Sequence, residues 1–158
     1  MSHAFIYSAG TLVELETLGG YYNFGNAIND AGEVAGEARG ADGAMRAFVY
    51  RNGVMKVLSL SNESFGADAF ATDINNAGQV VGSAPGELPQ VGWTGLAFIH
   101  TNGRTYDLSK PTSGRKGFVL TTAFGINDAG QIVGSGFRWG EPIERGFLLT
   151  PIGVSGAR

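Results

Sequence analysis

The sequence predicts an all-β protein, a propeller-like array of about three four-stranded antiparallel blades, and two recurring phrases carry that prediction. The first is Ile28-Asn29-Asp30-Ala31-Gly32-Glu33-Val34, which returns as Ile74-Asn75-Asn76-Ala77-Gly78-Gln79-Val80 and as Ile126-Asn127-Asp128-Ala129-Gly130-Gln131-Ile132. Each copy runs on into Ala35-Gly36, Val81-Gly82 or Val133-Gly134. The second phrase is Ala4-Phe5-Ile6-Tyr7, repeated as Ala47-Phe48-Val49-Tyr50 and Ala97-Phe98-Ile99-His100, with a degenerate copy at Gly146-Phe147-Leu148-Leu149. A third observation is negative: no segment sustains the apolar period of about 3.6 residues that an amphipathic helix needs.

The isoleucines of the first phrase stand 46 and 52 residues apart, and the phenylalanines of the second 43, 50 and 49. A four-stranded blade takes about 45 residues. Within each repeat the first strand ends in Ile-Asn, the second is the Val-Val-Gly run, the third carries Ala-Phe and the fourth is the run exemplified by Val54-Met55-Lys56-Val57-Leu58. Asn-Gly between the third and fourth strands supplies positive φ cheaply, and Asn-Asp-Ala-Gly between the first and second suits a type I turn closed by a left-handed Gly. A leucine follows the turn glycine by five residues in three copies, at Leu15, Leu58 and Leu108. The four phenylalanines at 5, 48, 98 and 147 read as core.

Both tight turns of a meander fall on one edge of the sheet, so the longer connections gather on the other, where function is expected. Those between second and third strands are read as 37–45, 83–95 and 135–145. Those between blades include Gly19-Gly20-Tyr21-Tyr22-Asn23, Ser61-Asn62-Glu63-Ser64 and 110–116.

The chain opens on a third and a fourth strand, carries two complete blades and ends on a first, second and third. That is fewer than the about 4–8 blades of a closed propeller. The favoured completion is a six-bladed ring made by an isologous homodimer, the N-terminal fourth strand of one chain finishing the last blade of its partner. A compact three-repeat monomer and a piece of a longer array are the alternatives. The spare third strand, Ala4 to Tyr7 against Gly146 to Leu149, is accounted for by none of them.

Composition narrows the function classes. The 158 residues suit one domain, 1–158, with a real core. Only 16% are charged, net charge is −3, and no basic stripe offers itself to a phosphate backbone, so nucleic acid is not an expected partner. No apolar run approaches the ~20 residues of a spanning helix, and the N-terminus as written lacks the form of an export signal. Cysteine is absent, which removes thiol catalysis and Cys-based metal sites. The 26 glycines recur at fixed places in the repeat and read as turn residues.

The leading Ser2-His3-Ala4-Phe5, the Ala-Phe runs and the Ile-Asn-Asp-Ala-Gly-Gln-Ile-Val-Gly block together resemble the HAF-repeat family of bacterial extracellular repeat proteins. Later copies depart from His-Ala-Phe as Arg46-Ala47-Phe48, Leu96-Ala97-Phe98 and Arg145-Gly146-Phe147. The resemblance implies an extracellular or cell-surface setting, often with a C-terminal sorting tail, which the ending Gly153-Val154-Ser155-Gly156-Ala157-Arg158 does not look like. It implies no catalytic residues.

Candidate chemistry is sparse. Asn29-Asp30, Asn75-Asn76 and Asn127-Asp128 offer oxygen donors to Ca²⁺, but their spacing is that of a hairpin turn and lacks the EF-hand pattern, so no metal or cofactor is expected. His3 and His100, the only histidines, stand outside any repeated catalytic phrase, and no Gly-x-Ser-x-Gly elbow is present. Asp68, Glu87, Glu141 and Glu144 are the loop carboxylates a glycoside hydrolase would draw on, a minority reading beside a non-enzymatic one. Trp93 and Trp139 fall in the longer second-to-third connections of successive repeats. An indole there suits stacking on a sugar or anchoring a protein. The expected function is therefore a binding or interaction module, with carbohydrate as the first ligand. Trp93 and Trp139 would be its anchors, Arg138 and Glu87 its polar contacts, and Phe137, Tyr21 and Tyr22 neighbours on the same face. The alternative is an assembly protein that buries these aromatics in a homo-oligomer interface.

Overall fold

The computed structural model of the chain describes residues 2–60, 65, 68–88, 92–110, 117–141 and 143–152. The connections anticipated at 61–64 and 111–116 and the ending 153–158 lie outside the described residues. Among those residues there are strands and no helix, arranged in four antiparallel sheets.

The first sheet is the hairpin of β1 (Phe5–Ser8) and β2 (Thr11–Glu14). The second is the meander β3 (Gly19–Ile28), β4 (Val34–Gly40), β5 (Met45–Arg51) and β6 (Val54–Val57). The third repeats it as β7 (Phe70–Ile74), β8 (Val80–Leu88), β9 (Gly92–Thr101) and β10 (Arg104–Asp107). The last has β11 (Phe118–Ile126), β12 (Ile132–Arg138) and β13 (Glu144–Leu149). The strand content is the one read from the repeat: a third and fourth strand, two complete meanders, then a first, second and third.

The turns follow the letters. Asn52-Gly53 and Asn102-Gly103 take positive φ at both positions, 52° and 81°, 51° and 74°, as a two-residue I′ hairpin requires. Gly32, Gly78 and Gly130 hold φ of 74°, 71° and 72° at the end of the Asn-Asp-Ala-Gly turns. In each of these turns the Asn side chain accepts main-chain N–H groups of its own loop; Asn29 Oδ1 takes those of Ala31 (3.1 Å) and Glu33 (3.0 Å). Leu15, Leu58 and Leu108 prolong the hairpins, each donating its N–H to the alanine that precedes the repeated Phe, at 2.9 Å. All three leucines are buried.

One feature shared by the three first strands leaves no mark in the repeated letters. β3, β7 and β11 each slip by one residue, at Asn26, Thr72 and Phe124, forming a bulge. The bulge brings a main-chain carbonyl up to the second strand. A Cβ at Gly36, Gly82 or Gly134 would lie 1.8, 2.0 or 2.1 Å from the oxygen of Phe24, Phe70 or Thr122. That is why the residue after Ala35, Val81 and Val133 is Gly in every repeat.

The sheets stack face to face. The side of the second sheet bearing Ala35, Ala47, Val49 and Leu58 packs against Ile74, Val80, Ala84 and Phe98 of the third. The third then offers Val81, Ala97 and Leu108 to Leu120, Ala123, Ile126 and Ile132 of the last. The first hairpin lays Ala4, Ile6 and Leu15 on Val34, Ala38, Phe48 and Met55 of the second. Burying a side chain such as Phe98 in such a seam contributes about 1.5–3 kcal/mol.

Two expectations are corrected. Phe48 and Phe98 are core residues and Phe147 is partly buried, but Phe5 is exposed, because among the described residues the first hairpin has no sheet on its far side. The second-to-third connections are also shorter than read: β8 and β9 continue as a ribbon, pairing Glu87 with Trp93, so Trp93 lies in a strand. Pro85 is admitted because β7 pairs with β8 no further than Ser83, which among the described residues leaves one side of the ribbon without a paired strand. Tyr21 and Tyr22 likewise belong to β3, at a register irregularity between Gly19 and Asn23.

Candidate functional site

At the edge opposite the tight turns, a cleft of about 680 Å³ opens between the β8–β9 ribbon and the last sheet. Phe137, Thr94, Thr121 and Thr122 line it with Glu141 and Glu144. The lining is placed by a second irregularity of β11, a register shift between Leu120 and Thr122. The Thr121 hydroxyl donates to the Ser135 carbonyl at 2.9 Å and stands 3.4 Å from Glu144 Oε1. Glu141 is held by two guanidinium groups, Arg138 at 3.4 Å and Arg145 at 2.8 Å. These two ion pairs tie the Glu141 carboxylate at the lining of the cleft.

Of the residues singled out in sequence as ligand contacts, Phe137 lines this cleft, Trp93 and Trp139 each precede a lining residue, and Glu87, Arg138, Tyr21 and Tyr22 are not part of the lining. Trp93 projects from β9 with 69% of its surface exposed, and Glu87, opposite it on β8, is exposed as well. Trp139 follows β12 directly, its N–H donating to the Gly117 carbonyl. Arg138 ends β12 with its guanidinium 6.0 Å from the centre of the Phe118 ring. Tyr21 and Tyr22 are on the second sheet, where Tyr22 lies parallel to Phe24 with ring centres 6.5 Å apart. The two tyrosines thus stand on a different sheet from either tryptophan.

The carboxylates divide in the same way. Glu141 and Glu144 reach the cleft, whereas Asp68 accepts the Met45 N–H at 2.7 Å and closes the second sheet. His3 pairs with Glu14. His100 shares a hydrogen bond of 2.8 Å with Thr105 Oγ1, and burial, with Lys56 nearby, pushes its imidazole below the ordinary range. Among the described residues no group of three or more His, Cys, Asp or Glu side chains is arranged to hold a metal, and no helix is long and apolar enough to cross a membrane.

The repeated turns form a second constellation. Asn29 donates its amide to the Asn75 carbonyl (3.1 Å) and Asn75 to the Asn127 carbonyl (3.0 Å), so the three loops are laddered across the sheets. The Asn76 amide bridges Asp30 Oδ2 (2.7 Å) and Asp128 Oδ2 (2.9 Å). An aspartate in its place would set three carboxylates side by side, which accounts for the Asn in the middle copy. The bulge residues make parallel links: Asn26 donates to the Ala71 carbonyl at 2.8 Å and Thr72 to the Ala123 carbonyl at 2.7 Å. Phe124, the third bulge residue, is exposed.

No family model matches the chain, nor does any curated protein or solved structure.

Proposed function

We propose that the chain is a non-enzymatic binding module whose ligand, a carbohydrate or a similarly hydroxyl-rich molecule, enters the cleft between the β8–β9 ribbon and the last sheet. The observation that carries this reading is the convergence there of an aromatic ring, Phe137, with threonine hydroxyls and the Glu144 carboxylate in a space of about 680 Å³. A sugar presents an apolar C–H face and a rim of hydroxyls, and such a lining offers partners to both. Pockets of about 300–1,000 Å³ are the usual size for small ligands. Phe137 replaces the tryptophans as the anchor, with Trp93 and Trp139 at the margin. Glu141, the other cleft carboxylate, is engaged by two arginines, which favours the binding reading over the hydrolase one. The resemblance to extracellular repeat proteins supports an extracellular setting.

The test is a broad glycan array with the intact chain, followed by calorimetry on any glycan that binds. Phe137→Ala and Glu144→Gln should each weaken binding at least tenfold while the chain stays folded. No binding to any glycan, or binding indifferent to both substitutions, would sink the reading.

An assembly reading is favoured by a separate observation. Val133 and Leu148, on the outer side of the last sheet, are 48% and 62% exposed, whereas Val81 at the matching place in the third sheet is fully buried. The stacked sheets are read as propeller-like blades, two copies of the chain completing a six-bladed ring. Light scattering should then give twice the 16.5 kDa of one chain; a monomer at all concentrations would refute it.

A further inference from the structure

The first hairpin is a third and fourth strand without a first and second, and its missing half has a place. The free edge of β1 opens onto a groove of about 630 Å³ walled by Phe5, Tyr7, Phe24, Ile28 and Val34. One sheet further along, the matching space beside β5 and over β7 is filled by β3 and β4 of the second sheet itself. We infer that the groove is the seat of β11 and β12 from a second copy of this chain, β1 taking the edge of β12 that β13 holds within its own chain. The inference rests on the six-bladed reading and deepens it by naming the strands exchanged.

The two competing strands are copies of one element. Phe147 of β13 stands opposite Gly134 as Phe48 stands opposite Gly36 and Phe98 opposite Gly82, and Phe5 occupies the same place in β1. Among the described residues β13 has no fourth strand beside it. β1 brings one, β2, so the sheet β11-β12-β1-β2 has the four strands of the two inner sheets. The spare third strand of the sequence becomes the element that is displaced, and Glu144 leaves with it, so the cleft lined by Glu144 belongs to the unexchanged chain.

The exchange accounts for the apolar surface at both ends. Phe5, Tyr7 and Leu12 are 61%, 67% and 60% exposed, while Phe48 and Met55, which match Phe5 and Leu12, are buried. In the exchanged sheet Phe5 and Tyr7 replace Phe147 and Leu149 against Val81, Ala97 and Leu108 of the other copy. Val133 comes to rest on the Val34 and Phe24–Ile28 wall of the groove. The ladder of turns continues too: the Asn127 amide, which among the described residues donates only to Gln131 of its own turn, meets the Asn29 carbonyl of the second copy. Each copy gives β1–β2 and receives β11–β12, so two copies close the assembly.

The test uses the absence of cysteine. Arg51, which follows Tyr50 on β5, pairs with Glu33 (3.0 Å) just before β4; by the same register Ser8 of one copy faces Gln131 of the other. The full chain with Ser8→Cys and Gln131→Cys, oxidised, should run as a covalent dimer whose peptide map links 8 to 131. An 8–131 link within a monomer overturns the inference. So does a native dimer by light scattering that yields no such link, an outcome that leaves the ring standing; a monomer by light scattering overturns both. As a second variant, Phe5→Asp changes a side chain that is exposed in the single chain, so circular dichroism should be unchanged while dimer affinity falls at least tenfold. Unaltered dimer affinity would equally refute the exchange.

Discussion

The side-chain amide of Asn75 donates to the main-chain carbonyl of Asn127, 3.0 Å away and one sheet further along the stack. The same amide also reaches Gln79 Oε1 at 2.8 Å, and its oxygen accepts the N–H groups of Ala77 (3.1 Å) and Gln79 (3.0 Å). One buried residue therefore shapes its own turn and joins two sheets. Net hydrogen-bond contributions are about 0.5–1.5 kcal/mol each, and orphaned buried partners add to the loss. Asn75→Ala is expected to cost about 2–4 kcal/mol on that basis. In the single chain, where the exposed Asn127 amide stays within its own turn, Asn127→Ala should cost about 1 kcal/mol. Urea unfolding of the dissociated chain measures both, and equal losses there would show that the ladder contributes nothing.

Asn76→Asp tests the bridge between Asp30 and Asp128. It removes two donated bonds and places a third carboxylate beside two others. All three positions are exposed, so the repulsion is screened, and a loss of about 1–2 kcal/mol at neutral pH and low salt is expected. Like charges raise carboxylate pKa values in the fold, so the folded variant binds more protons than the unfolded chain, and its deficit should shrink as pH falls through the carboxylate range or in about 1 M salt. A deficit unchanged by salt and acid would point to the lost amide alone.

Much of the sheet stack was legible because its determinants are local. Asn-Gly and Asp-Ala-Gly are turn chemistry, and Phe48 and Phe98 recur because each meets a glycine across the sheet. The bulges were not legible, since Asn26, Thr72 and Phe124 share no side-chain type; their trace is displaced onto the second strand, in Gly36, Gly82 and Gly134. The β8–β9 ribbon was hidden for a different reason. Pro85, Gly86, Gly92 and Gly95 read as breakers, and a proline is compatible with a strand only where a neighbour is missing, a fact about β7 and not about β8. Phe137 was named among the candidates, yet its cleft depends on a register shift in β11 that no residue type announces. The exposure of Phe5 is a property of the ends of the stack, invisible to a repeat that treats every copy alike.

Two kinds of glycine should separate cleanly. Gly32 sits at positive φ with open space around it, so Gly32→Ala meets only the left-handed penalty of about 1–2 kcal/mol. Gly82 has no such φ, but a Cβ there would come 2.0 Å from the Phe70 carbonyl and 2.9 Å from the Phe98 ring. The backbone cannot retreat without opening the bulge, so Gly82→Ala should cost more than ~3 kcal/mol or prevent folding. Thermal melts of the two variants decide it; a milder effect at Gly82 would mean the bulge is soft.

Asp107 closes β10 opposite Phe98, where the second sheet has Val57 opposite Phe48. Its Oδ1 accepts the Ser109 N–H at 2.8 Å, while Oδ2 is buried without a hydrogen-bond partner among the described residues. Burial pushes this carboxyl above the ordinary carboxylate range, against the lowering effects of the Ser109 N–H and Lys110. A raised folded pKa means that the fold holds the proton more tightly than the unfolded chain does, so stability is lost as pH rises from the unfolded value, near ~4, through the folded one. Asp107→Asn keeps an oxygen for the Ser109 N–H and removes the charge. It should stabilise the chain by about 1 kcal/mol at pH 7, with the gain vanishing below about pH 4. Melting curves from pH 3 to 8 test this: a variant less stable than the parent at pH 7, with the same slope, would show that the ionised carboxylate is an asset where the structure makes it a cost.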